Sequence, residues 1–443
     1  MVNIGDVGRS PRTANHVIEL SKDAGARVDY VSYLETEVPK FLLAPNVRLV
    51  FANTFLTKLI KKLPSSLFFF LRVFVEIVTF FLVFLLRLRK SYDLVLIQNP
   101  YSLPVLLLLP LYKLFSKRTK VVVDMHNFGY SLMATHSPSP TNNPAIKSVV
   151  GIVDRSSGLL PRGGISKLRR LLAATYKFFE VFLVLVAADK VLVVSKAMKN
   201  VLVSDWKLPG ERIEVLYDCP DGSKFRPLSL QEKHDFLSTV REFVPKEGET
   251  FLSRCEEGRL VERQSRPILF VISSSWGLDD DFATLVDAIR LYKSEKKSKA
   301  RPRLFFFFTG SGPRKLELSP ILQGLSDESV SVFMGWLSFK DYCSLMGCAD
   351  FSISIHSSAS GVDLPIKILD SFACEVPVLA FNYSSTLAEL VENGANGFFY
   401  KTANELAGLF AKIAGGKERQ KFEFSCKSWT DQWQAALQIN PST

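Results

Sequence analysis

Short apolar, β-branched runs alternate along the chain with longer stretches whose apolar residues recur at helical spacing. Strands are expected at Met1–Ile4, Val28–Tyr33, Val47–Phe51, Asp93–Gln98, Lys120–Asp124 and Lys190–Ser195. A helix is expected from Pro11 to about Ala24, with Ser10 as N-cap and Pro11 in the first turn. Strands that read as continuous apolar runs belong in a parallel sheet covered on both faces. The segment 136–167 (SPSPTNN, DRSSG, PRGG) reads as a surface loop. Beyond Tyr217-Asp218-Cys219-Pro220 the periodicity fades, and 205–266 reads as a linker with a charged helical insertion. A second series follows, with strands at Pro267–Ser273, Leu304–Thr309, Val330–Met334, Phe351–Ile355 and Val376–Ala380. Its helices are expected at Asp280–Tyr292, Asp341–Met346, Ile366–Phe372 and Ala403–Ala414. A tail helix over 421–437 carries Trp429 and Trp433.

This pattern predicts an α/β chain with two Rossmann-like, doubly wound parallel-sheet domains facing each other across a cleft. The expected divisions are a domain at 1–204, a linker at 205–266, a domain at 267–414 and a tail helix at 415–443. That tail is expected to pack back toward the first domain. At 443 residues the chain can build two sizeable cores. Six cysteines without a CxxC pair exclude a disulfide framework and point to reduced thiols facing the cytosol.

Charge placement adds more than the net charge of +11. Residues 61–120 hold ten Lys/Arg against two acids, and 155–199 hold nine against two, both in stretches rich in Leu, Phe and Val. Basic residues flanking apolar runs suit an anionic membrane surface rather than a nucleic acid. No targeting segment opens the chain, because Met1–Ile4 runs straight into Gly5-Asp6. The most apolar window, 67–86, contains Arg72 and Glu76, an i,i+4 pair, and is expected to lie at the interface rather than to span. The run 103–114 is too short to span and is expected to be broken by Pro104 and Pro110.

Four loops at expected strand ends carry candidate chemistry. Gly5-Asp6-Val7-Gly8-Arg9-Ser10-Pro11-Arg12 offers two glycines, a helix N-terminus and two arginines, all suited to a diphosphate. Asp124-Met125-His126-Asn127 places a carboxylate and an imidazole together, as a base and its orienting group would be. Thr309-Gly310-Ser311-Gly312-Pro313 is compatible with phosphate. In 357–370, backbone N–H groups and Lys367 suit a departing diphosphate, and Asp370 suits two ribose hydroxyls. Asp279, Asp280 and Asp281 look like helix-capping acids rather than metal ligands.

Taken in order, GDVGRSPR (5–12), DMHNFGYS (124–131), VSKAM (194–198), LYDCP (216–220), SSSWGLDDDF (273–282), TGSGP (309–313), GW (335–336) and HSSASGVDLPIKILDSFACEVPVLAFNY (356–383) resemble the chitobiosyldiphosphodolichol β-mannosyltransferase family. The resemblance covers nearly the whole chain. It implies a GT-B fold, GDP-mannose as donor and dolichol-diphosphate-linked chitobiose as acceptor, with a β1,4 bond formed at the cytosolic face of the endoplasmic reticulum membrane. It also implies no tightly bound metal, no nucleic acid, and other early N-glycan mannosyltransferases as partners. The donor side would comprise Trp276, Gly310, Gly312, Gly335, His356, Ser358, Ser360, Asp363, Leu364, Pro365, Lys367 and Asp370. The acceptor diphosphate would meet Gly5, Gly8, Arg9, Arg12, Asn127 and Tyr130. Family members usually carry a hydrophobic anchor before the first strand, and here it is missing. The loop 137–165 also looks expanded.

An α-linked donor and a β-linked product require inversion, hence one general base, for which His126 and Asp6 are the candidates. The competing readings are a GT-B transferase with another lipid acceptor and a non-catalytic scaffold. The presence of Arg9, His126, Lys367 and Asp370 argues against the scaffold.

Overall fold

The computed structural model describes residues 1–8, 10–23, 25–60, 69–86, 91–100, 102–134, 162–246, 248–295, 301–416 and 427–437. Arg9, and most of the 137–165 loop, therefore lie outside the described residues. The described residues form two compact units, one holding 1–134, 162–218 and 427–437 and the other 219–416.

In the first unit seven strands form a parallel sheet: β1 (Val2–Asp6), β2 (Val28–Tyr33), β3 (Val47–Phe51), β4 (Leu94–Asn99), β5 (Lys120–Met125), β6 (Lys190–Val193) and β7 (Ile213–Val215). Their order is β3-β2-β1-β4-β5-β6-β7, so the winding reverses between β1 and β4. Loops leaving the carboxyl ends of neighbouring strands at such a reversal are splayed apart, which is where an open α/β sheet takes its ligands. The helices are α1 (Pro11–Ser21), α2 (Phe55–Ile60), α3 (Phe69–Leu86), α4 (Leu103–Phe115), α5 (Gly129–Ala134), α6 (Arg162–Ala187) and α7 (Lys196–Ser204). The C-terminal helix Trp429–Leu437 also belongs here, with Trp433 and Ala436 buried in the same core as Val17, Tyr30 and Leu192.

Four details differ from the sequence reading. The division falls between Asp218 and Cys219 rather than at 204/205, because β7 completes the first sheet by pairing with β6. Three residues are too short a run to be recognised by periodicity. The 205–266 stretch contains β7, α8 (Leu230–Ser238) and an antiparallel hairpin of β8 (Ser253–Glu256) and β9 (Arg259–Glu262), so it is structured rather than a linker. Helix α6 begins at Arg162, inside the segment read as loop. Helix α4 is not broken. Pro104 sits in its first turn, where no N–H is required, and burial of Leu103, Val105, Leu106 and Leu109 offsets the bond lost at Pro110.

The second unit holds six parallel strands: β10 (Ile268–Ser273), β11 (Leu304–Thr309), β12 (Val330–Gly335), β13 (Phe351–Ser354), β14 (Val378–Phe381) and β15 (Gly397–Tyr400). The order β12-β11-β10-β13-β14-β15 reverses between β10 and β13. Every residue of LFFFFT in β11 is buried. Phe306 and Phe308 point into the core on one face, Phe305 and Phe307 into the core on the other. Coverage on both faces is why this run lacks alternation. Helices α9 (Phe282–Ser294), α10 (Lys315–Gln323), α11 (Phe339–Cys348), α12 (Ile366–Ala373) and α13 (Ala403–Ala414) supply that cover.

Candidate functional site

At the β1 end of the first unit, the Gly5–Ser10 turn is held by its own side chains. Asn3 donates to Ser10 Oγ at 2.7 Å and accepts from the Gly5 N–H at 2.8 Å. Gly8 is required by close approach, since a Cβ there would sit 2.3 Å from Thr36 Oγ1 and 2.9 Å from the Glu37 carbonyl. The Asp6 carboxylate is buried and accepts from the Glu35 N–H (2.7 Å), the Thr36 N–H (3.0 Å) and the Thr36 hydroxyl. Asp6 thus clamps the loop after β2, a duty that leaves it poorly placed to act as a base.

Arg12 does not face a diphosphate. Its guanidinium is buried, with Nε and one terminal nitrogen each 2.7 Å from an Asp124 oxygen and the other terminal nitrogen 2.7 Å from Asp218. It also lies over the Trp429 ring, 5.2 Å from the centroid. Asp124 binds His16 as well: Trp433 Nε1–H donates to His16 Nδ1 at 2.9 Å, so the proton sits on Nε2 and points at Asp124, 3.1 Å away. Burial alone would raise the Asp124 carboxyl, but Arg12 and His16 outweigh it and hold it far below the ordinary range. Asp124 is therefore not the orienting group of His126. Residues two apart on an extended strand would share a face, but β5 ends at Met125 and His126 lies beyond it.

His126 is oriented by backbone instead. Its Nδ1 lies 2.9 Å from the Asn99 carbonyl, an obligate acceptor, so Nδ1 carries the proton and Nε2 the lone pair; the Gln98 amide, 3.3 Å from the same nitrogen, then meets it with its oxygen. The His126 N–H also donates to that carbonyl, at 3.2 Å. Asn99 is fully buried and its side chain is bonded on all sides: Nδ2 to Glu180 (2.6 Å) and to the Asn127 carbonyl (3.2 Å), Oδ1 to Ser102 (2.6 Å). Glu180, on α6, also accepts from the Gly129 and Tyr130 N–H groups that open α5. Burial pushes its carboxyl up to about 7, against those three hydrogen bonds. The Asn127 amide oxygen accepts from the Phe128 N–H at 2.8 Å and from the Ser131 hydroxyl at 3.3 Å. Tyr130 stacks on Phe128 and has the Lys177 ammonium 5.1 Å above its ring. Neither Asn99 nor Glu180 stood out in the sequence, although Glu180 is a lone acid within the apolar run FFEVFLVLVA.

In the second unit the loops after β10, β11 and β13 interlock. Gly310 has φ +102°, and a Cβ there would lie 2.0 Å from the Ser274 carbonyl; at Gly312 it would lie 1.7 Å from that of Ser275. Only glycine allows this packing. Gly335 ends β12 opposite Thr309. Trp276, expected to touch the donor, has its ring entirely buried and stacked on Phe282 at 4.8 Å. The three consecutive acids have three duties. Asp281 caps α9 through Thr284, Asp280 accepts from Ser274 (2.6 Å) and Ser275 (3.1 Å), and Asp279 lies 3.4 Å from His356.

His356 sits between Asp279 and Asp363, 3.4 Å from each. Burial alone would lower it, but the two carboxylates push it up to about 9, so it is a cation at neutral pH. Asp363 in turn accepts from Ser358 and Ser360, which closes the loop ahead of Leu364 and Pro365. Lys367, in the first turn of α12, makes no hydrogen bond or ion pair among the described residues. Burial lowers its pKa, while the fields of Asp280, Asp279 and Asp370 oppose that. Asp370, one helical turn on, has only a long contact at 3.5 Å to Tyr342, and burial pushes it up to about 7. A half-buried cation and an under-used carboxyl on one face of α12 suit a diphosphate and a pair of hydroxyls.

Two Rossmann-like units, each with its polar loops at the point of strand reversal, define a GT-B glycosyltransferase. The solved structure of sucrose-phosphate synthase from Thermosynechococcus elongatus has the same fold, with a TM-score of 0.62 at 14% identity over 98% of this chain and 94% of that one. Residues 13–221 match the profile described as Glycosyltransferase Family 4, and 266–415 that described as Glycosyl transferases group 1. The chitobiosyldiphosphodolichol beta-mannosyltransferase of Candida glabrata is 30% identical over 98% of this chain and 88% of its own. The UDP-glycosyltransferase TURAN of Arabidopsis thaliana is 30% identical over 92% and 86%. The chain belongs to the chitobiosyldiphosphodolichol β-mannosyltransferase family.

Proposed function

We propose that this chain transfers mannose from GDP-mannose to dolichol-diphosphate-linked chitobiose, with inversion, at the cytosolic face of the endoplasmic reticulum membrane. The observation that carries the mechanism is the fixed tautomer of His126, whose Nε2 lone pair is available to take the proton of the acceptor hydroxyl. Asp6 is the weaker candidate because its oxygens are already engaged by residues 35–36. Lys367 would meet the charge that develops on the departing diphosphate, together with backbone N–H groups of the α12 N-terminus, so the reading requires no tightly bound metal. Asp370 would accept the ribose hydroxyls.

The membrane part of the reading is supported by apolar surface on neighbouring helices. Leu71, Phe74, Leu82 and Leu85 of α3 are exposed, as are Leu114 and Phe115 of α4. On α6 the buried stripe is Ala173, Tyr176, Glu180, Leu183 and Val184, yet Leu171, Phe178, Phe182 and Val186 on the other side face outward. A helix that is apolar on both faces wants a second apolar environment. Among the described residues no helix is long and apolar enough to cross a membrane, so the contact would be interfacial.

Purified protein should transfer radiolabel from GDP-mannose to a synthetic chitobiosyl diphospholipid. Transfer from UDP-glucose in its place, with none from GDP-mannose, would reject the donor assignment.

A further inference from the structure

We propose that Glu180 is a positioning residue for His126, acting through Asn99; this rests on the reading of His126 as the base. The Asn99 carbonyl is what fixes the imidazole, receiving both the backbone N–H and Nδ1–H of His126. A carbonyl can do that only if its peptide plane is held, and the Asn99 side chain is the handle. Its two shortest bonds, each 2.6 Å, run from Nδ2 to Glu180 Oε1 and to Oδ1 from the Ser102 hydroxyl, and the Glu180 bond is the one that reaches α6. The same oxygen accepts from the Gly129 N–H at 2.9 Å, and Oε2 from the Tyr130 N–H at 3.4 Å, so one carboxylate ties β4 to the segment just after His126. The loops on the two sides of the imidazole are thereby set from a third element, α6.

Glu180 is fully buried and has no ion-pair partner among the described residues. An uncompensated buried carboxyl is costly, and a helix-to-sheet contact at this spot would be met more cheaply by an apolar side chain. Gly129 shows how close α6 must come, since a Cβ there would lie 2.4 Å from Tyr176. The carboxylate thus reaches α5 and Asn99 only because Gly129 lets the helix approach.

The test uses the full-length protein in three variants: Glu180→Gln, Glu180→Leu and Asn99→Ala. The amide of Glu180→Gln keeps an oxygen for Asn99 and Gly129, so turnover should stay within about threefold of wild type. Glu180→Leu and Asn99→Ala should each lower kcat by about 10- to 100-fold with KM for GDP-mannose unchanged. The double variant should be no worse than either single one, because both remove the same link. Nitrogen-15 NMR of the imidazole should report a single Nδ1–H tautomer for His126 in wild type and in Glu180→Gln, and a mixture in the other two. Additive losses, or an unchanged tautomer in Glu180→Leu, would overturn the proposal. So would collapse of turnover in Glu180→Gln with the tautomer intact, because the carboxylate would then act otherwise than by positioning. If His126→Ala retains turnover while the tautomer still responds to Glu180, the base assignment fails and the positioning link does not.

Discussion

Arg12 and Asp124, 112 residues apart in the chain, meet in a two-point ion pair with both N···O distances at 2.7 Å. The pair joins α1 to β5, and through Asp218, His16 and Trp433 it gathers β7's exit loop and the C-terminal helix around one buried carboxylate. Removing one partner of such a pair strands the other charge. Arg12→Ala should therefore cost about 3–5 kcal/mol of stability, and Arg12→Lys should also destabilise because a point charge cannot make the fork. Chemical denaturation would check this. A variant that loses acceptor affinity at unchanged stability would restore Arg12 to the diphosphate site.

His126→Ala should lower transfer by about two to four orders of magnitude. Asp6→Asn should keep most turnover and instead lower the melting temperature, because its lost partner is the 35–36 loop. The reverse pattern would exchange their roles.

Lys367→Ala should weaken GDP binding and slow transfer with little change in melting temperature, since its ammonium makes no bond within the described residues. Calorimetric titration with GDP is the direct measurement. Wild-type affinity in this variant would remove α12 from the donor site.

Asp370 gives a pH prediction with two opposite signs. Its folded pKa of about 7 lies above the ordinary carboxyl value of about 4, so folding takes up a proton. Its contribution to stability is most favourable below pH 4 and declines as pH rises to 7. The ionised form is the better acceptor for ribose hydroxyls, so GDP affinity should rise between pH 6 and 8. Asp370→Asn should flatten both profiles. A GDP affinity that falls over this range in the wild type would assign Asp370 another duty.

Phe178→Glu combined with Phe182→Glu should release protein from anionic liposomes without unfolding it, because both rings are exposed and, among the described residues, their ring contacts are with each other and, edge-on, between Phe178 and Phe179. Flotation would show this. Unchanged binding would exclude the outer face of α6 from the membrane contact.

Strand and helix types were legible in the sequence because local spacing carries them. Val28–Tyr33, Val47–Phe51 and Leu304–Thr309 fall where their apolar runs place them, and Ala403–Ala414 follows its Thr402 cap. The capping duty of Asp281 was legible for the same reason. Partnership was not legible, because it joins residues far apart in the chain. Arg12 beside two glycines reads as an anion binder until Asp124 and Asp218 are seen to occupy its fork. Trp276 sits in a donor-side motif, yet backbone at φ +51° turns its ring into the core. Asp124 and His126 look paired in sequence, but β5 ends at Met125, and Asp124 is taken by Arg12 while His126 beyond the strand turns to the Asn99 carbonyl. Local pattern determined which elements form and where polar loops emerge. Only tertiary packing decided which polar groups are used up in holding the fold and which, like the Lys367 ammonium and the Nε2 of His126, are left uncommitted among the described residues.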